Sequence, residues 1–136
     1  MTKSASPSFF PDKLLASVAW SFSGEPFLSR TEFDAELTEY QADIMKNPSW
    51  NSSELALLAP EVVVQYDEWD EGDGQEGAEV TLRADDGKGF STGELMFKVH
   101  NAFVRQLSDR DHHFFEGFLF SAAREGVPVY QVHLGS

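Results

Sequence analysis

A chain of 136 residues with 41% hydrophobic and 13% aromatic content, including twelve phenylalanines, has the length of one domain and the material for its core. Its formal net charge of −13 repels nucleic acid and anionic membranes and favours basic partners. The absence of cysteine excludes disulfides, thiol catalysis and thiolate metal sites.

Residues Met1 to Ser8 are polar and are expected to form a flexible tail, with 9–136 a single domain. No apolar run follows the N-terminus and none reaches spanning length. Neither a signal peptide nor a membrane helix is expected, and the cytoplasm is the expected location. From Ser17 to Ser23, Val18, Trp20 and Phe22 alternate with small residues, the period of a strand with one buried face. Gly24-Glu25-Pro26 turns the chain. Ser29 and Glu32 then have capping-box spacing, and Leu28 and Phe33 the spacing of a hydrophobic staple. Phe33, Leu37, Tyr40 and Ile44 predict one buried helix face, and Asn47-Pro48 its end.

Trp50 to Pro60 is expected to be a loop with a short helical turn. Glu61 to Trp69 predicts a strand and Ala78 to Ala84 its hairpin partner, followed by a turn over Asp85-Asp86-Gly87-Lys88-Gly89. Ser91 with Glu94 and Phe90 with Leu95 repeat the helix-start signature. The helix runs to about Leu107 on a broad apolar face of Leu95, Met96, Val99, Ala102, Phe103 and Leu107, so cover on more than one side is expected. His112 to Ser121 and Val127 to Leu134 are two strands joined at Arg124-Glu125-Gly126. The helix starts lie 62 residues apart, but the halves otherwise match poorly. The expected order, β-α-β-β-α-β-β, is an α+β fold. Its sheet is mainly antiparallel, of four to five strands, with two helices on one face.

Between Asp67 and Glu79 lie seven acids and no base, in the expected hairpin connection, with Trp69 embedded among Asp67, Glu68, Asp70, Glu71 and Asp73. Strand parity with Val62, Val64 and Tyr66 inward turns Trp69 outward, and tryptophan is enriched among residues that dominate interfaces; a bulge would instead turn Trp69 inward as a plug at the hairpin end. A second acidic ridge, Glu32, Glu36, Glu39 and Asp43, runs beside the buried stripe of the first helix. Like charges four residues apart oppose helix formation by roughly 0.2–0.5 kcal/mol per pair. The ridge reads either as a solvated face or as a docking face for a basic partner.

Other patterns are weaker. Gly89-Phe90-Ser91-Thr92-Gly93 matches G-x-S-x-G, but a turn precedes it where the nucleophile elbow needs a strand, and Ser91 already serves as a cap. No alignment of the acidic run fits calcium-loop spacing. His100, His112, His113 and His133 include no pair at metal-ligand spacing, and no metal or cofactor is expected. On regular parity, His112, Phe114, Glu116, Phe118 and Phe120 share one strand face and His113, Phe115, Gly117 and Leu119 the other. Both faces are then largely apolar, so a strand covered on both sides is expected, with a second protomer, in a homodimer, as one candidate for the second cover.

Small, acidic, cysteine-free and α+β, the chain resembles in general character the bacterial immunity proteins that neutralise cationic toxins such as nucleases. The resemblance is compositional and transfers no residues. It implies a non-enzymatic protein with a basic protein partner, no nucleic acid and no membrane. Partner binding is assigned to Asp67, Glu68, Trp69, Asp70, Glu71, Asp73, Glu36, Glu39 and Asp43. The alternatives are a small enzyme or ligand-binding domain with its site near Asp111, His112 and His113, and a structural or adaptor homo-oligomer.

Overall fold

The structure, a computed structural model, describes residues 10–15, 18–22, 24–44, 51–66, 78–107 and 114–135. Its elements in chain order are β1 (Lys13–Leu14), β2 (Trp20–Ser21), α1 (Arg30–Ile44), β3 (Leu55–Leu57), β4 (Glu61–Tyr66) and β5 (Ala78–Arg83). There follow β6 (Phe90–Ser91), α2 (Thr92–Leu107), β7 (Phe114–Arg124) and β8 (Val127–Gly135). The α+β class is as expected, but the sheet is mixed. Its order is β1-β7-β8-β4-β5, with β2 also on β7, and β3 and β6 form a separate two-stranded sheet. The two hairpins, β4–β5 and β7–β8, are antiparallel, whereas β8 inserts beside β4 in parallel, Val63 opposite Val129. Short connections govern the hairpins; the parallel contact joins strands separated by a whole helix, which local reading cannot supply.

One cluster of buried side chains holds the fold together. Val62, Val64 and Tyr66 of β4 and Tyr130 and Val132 of β8 meet Phe33 and Leu37 of α1 and Leu95, Met96, Val99 and Phe103 of α2. The alternation Val18, Trp20, Phe22 is buried as expected, although only Trp20–Ser21 pairs as strand. The Tyr130 hydroxyl donates to the Pro11 carbonyl at 2.6 Å. Burial first, and then Asp12, push its pKa up to about 12. α2 is covered by the sheet and by α1, where Phe97 meets Phe33 edge-on at 5.6 Å.

Both caps form. The Ser29 and Ser91 hydroxyls accept the amides of Glu32 and Glu94, each at 3.2 Å. The first staple does not: Leu28 is 96% exposed, and Phe27 packs on Phe33 at 5.2 Å instead. The buried face of α1 is Phe33, Leu37 and Gln41, with Tyr40 half-buried and Ile44 exposed. Gln41 takes the inner position because its amide clamps one residue beside β2. It accepts from the Ala19 amide at 3.0 Å and donates to the Ala19 carbonyl. Within the expected loop of Trp50 to Pro60, Leu55–Leu57 forms β3 on β6.

The reading of β7 is corrected. The register shifts between Phe115 and Phe118, with Gly117 at φ 113°, a bulge that glycine permits. The extra residue resets parity, so Phe115 and Phe118 share the core face, edge-on at 5.0 Å, while Glu116 is exposed. The strand therefore has one apolar face rather than two, and the reason for expecting cover on both sides falls away. The Glu125-Gly126 turn, with φ 53° and 85°, closes the β7–β8 hairpin in the left-handed region that tight hairpins use.

Candidate functional site

The described surface is most distinctive along α1. Its fifteen residues hold five acids and one arginine. Asp34 is half-buried beside Arg30, 3.4 Å from its Nε. The other four, Glu32, Glu36, Glu39 and Asp43, are all exposed, and none is in an ion pair with a described base. No base occupies the last turn, so Asp43 also opposes the helix dipole. Phe33 and Leu37, fully buried on the stripe beside the ridge, and the Gln41 clamp fix the helix against this repulsion.

Some acids elsewhere on the described surface are in ion pairs, while Asp12, Glu54, Glu116 and Glu125 are exposed and in no ion pair with a described base. Glu61 meets Arg83 at 3.0 Å, and Glu79 meets Arg124 at 3.0 Å. Hydrogen bonding to Arg124, then to Gln65, holds the Glu79 carboxyl below its ordinary value. Asp85 and Glu94 share Lys98 at 2.9 and 2.8 Å. Burial pulls the Lys98 ammonium down, but its bonds to Glu94 and Asp85 outweigh this and leave it above the ordinary lysine value. The Asp86 carboxyl, lowered by accepting the Gly89 and Lys88 amides, shapes the expected turn. Arg30, Arg83, Lys98 and Arg124 are thus all engaged away from the ridge.

Behind α1 lies a closed polar pair. Trp20 donates its indole N–H to Nδ1 of fully buried His100 at 3.1 Å. Nδ1 must then be bare, so Nε2 carries the proton and donates to the Glu25 carbonyl at 3.0 Å. Phe22, Phe27 and Phe33 enclose the imidazole with ring centroids 5.2–6.1 Å away. Burial pushes its pKa down, only partly offset by the Glu25 carbonyl. Both ring nitrogens are used, which makes His100 a structural tie between β2 and α2. The sequence signal was its place on the buried stripe between Met96 and Phe103; its partner lies 80 residues away.

Ser91 is engaged as well. Its hydroxyl accepts from the Glu94 amide and from Arg30 at 3.1 Å. The residues at positive φ outside glycine are Leu15 and Glu125, so among the described residues the strained serine of a nucleophile elbow is absent. Gly93 is fixed by packing: a Cβ there would lie 2.5 Å from Asp34 Oδ1. On the far face of the sheet, Lys13, Glu116 and His133 rim a depression of about 220 Å3 at the Gly117 bulge. Among the described residues no three acidic or histidine side chains group to hold a metal.

Of the residues assigned to partner binding, Glu36, Glu39 and Asp43 stand together on α1. Asp67, Glu68, Trp69, Asp70, Glu71 and Asp73 lie outside the described residues, as do Asp111, His112 and His113. Residues flanking these segments, Tyr66, Ala78 and Phe114, sit at one end of the sheet, since Tyr66 pairs with Ala78 and Phe114 with Gly135, the end of the strand parallel to β4. Among the described residues no helix is long and apolar enough to cross a membrane. No family model, curated protein or solved structure matches the chain.

Proposed function

We propose that this chain is a small acidic protein-binding protein that takes a basic protein partner. In its most concrete form it is a bacterial immunity or inhibitor protein that neutralises a basic toxin, such as a nuclease, by electrostatic occlusion. The observation that carries this reading is the four-acid ridge of α1, exposed, in no ion pair with a described base, and gathered on one helix locked into the core. Charges of one sign on a rigid element steer an oppositely charged protein and fix its register. The acids Asp67, Glu68, Asp70, Glu71 and Asp73 carry charge of the same sign, with Trp69 among them as the proposed apolar anchor.

Affinity capture from the native host tests this. The immobilised wild-type chain should retain a basic protein that salt releases. The variant Glu32→Gln, Glu36→Gln, Glu39→Gln, Asp43→Asn should lose most of it. Equal retention on both columns, or a retained partner that is not basic, defeats the proposal.

A further inference from the structure

The two edges of the main sheet are built differently. One side of β7 is flanked by β1 and β2, of two residues each, with Leu15 between them in the left-handed region at φ 56°. Short, interrupted edge strands deter further pairing. The other edge is β5, which runs for six residues in unbroken register with β4, from Glu61 opposite Arg83 to Tyr66 opposite Ala78. It contains no proline and no glycine, and no bulge disturbs it. Among the described strands it pairs with β4 alone. The devices that usually blunt an edge are thus present on one side and largely missing on the other. On β5 the outer-face charges Glu79 and Arg83 and the Lys98 ammonium on the Arg83 carbonyl are what remain.

The sequence of this edge is complementary to itself. Glu79, Thr81 and Arg83 are exposed on the outer face, while Val80 and Leu82 are half-buried at the rim of the core. An antiparallel copy about a two-fold axis at Thr81 places Glu79 opposite Arg83 twice, Val80 opposite Leu82 twice, and Thr81 opposite Thr81. Each is a favourable cross-strand pair, and a two-fold interface requires this self-complementarity. We propose that β5 is the docking edge for a second copy of this chain, which adds its own β5 antiparallel in that register and continues the sheet. The dimer so formed leaves the α1 ridge out of its interface and stands independently of the basic-partner reading.

Sedimentation equilibrium of four samples tests it: wild type, Thr81→Lys, Thr81→Glu, and the two variants mixed in equal amounts. Thr81 is exposed, so circular dichroism and melting should show both variants folded. The wild-type mass should rise with concentration from one chain towards two. Each variant alone should stay at one chain, because it sets like charges across the axis. The mixture should regain two, because Lys then faces Glu. Should a variant fail to fold, amide exchange of wild-type β5 decides, with protection of the outward-facing amides of Glu79, Thr81 and Arg83 rising with concentration. A wild type of single-chain mass at every concentration, a dimer that both variants retain, or β5 exchange indifferent to concentration overturns the proposal.

Discussion

Replacing His100 with leucine should lower stability at neutral pH and flatten its dependence on acid. The imidazole is fully buried, accepts the Trp20 indole N–H and donates to Glu25. In the variant the Glu25 carbonyl, on an exposed residue, can turn to water, but the indole N–H is left without an acceptor. A buried orphan donor costs about 1–3 kcal/mol. The pH effect follows from burial, which lowers the folded pKa of His100 below the ordinary 6.5. The unfolded chain takes up the proton first as pH falls. This stabilisation is therefore complete above 6.5 and is lost as pH drops from there through the folded value, at up to about 1.4 kcal/mol per pH unit for one proton. The lowered Glu79 and Asp86 act below their own ordinary values of 4.5 and 3.8 and leave the window clear. Urea unfolding of both proteins across roughly pH 5 to 8, where histidines change charge, reads the difference. Equal slopes below 6.5 in wild type and variant would refute the buried neutral imidazole.

Gln41→Ala should cost about 2 kcal/mol in urea unfolding, since the amide and carbonyl of Ala19 lose their partner on a half-buried segment. Gly93→Ala should cost roughly 1–3 kcal/mol by overpacking against Asp34 and Ser52. Adding Asp34→Ala should return part of that loss in a thermal melt, because it removes the nearest atom. Lys98→Met should cost about 2–3 kcal/mol, because it strands the Glu94 carboxylate, whose side chain is 8% exposed. Glu94→Gln with Lys98→Met should be less destabilised than the sum of the two single changes, read as a double-mutant cycle.

What was legible in the sequence is what short-range chemistry decides. The cap spacings of Ser29 with Glu32 and Ser91 with Glu94 became hydrogen bonds, and the Asp86 turn and both hairpins formed where expected. The α1 ridge was legible because helical period alone sets it. What failed depended on contacts between distant segments. Leu28 lost the staple to Phe27, whose backbone amide and carbonyl are both held by the Asn101 side chain of α2. Gln41 displaced the apolar stripe because its partner is on another segment. The parallel β4–β8 contact has no local signature. For the β7 bulge the signal was present: a glycine inside a strand, Gly117, marks the break in parity that a regular count overlooks.

The most direct test of the central claim is the association rate between this chain and its captured basic partner, measured against ionic strength. If the exposed acids steer binding, the wild-type rate should fall steeply as salt screens charge over about 10 Å at 0.1 M. The variant with Glu32, Glu36, Glu39 and Asp43 neutralised should start slower and show a shallower slope. A wild-type rate indifferent to salt, or a slope unchanged by removing those four charges, would contradict the account.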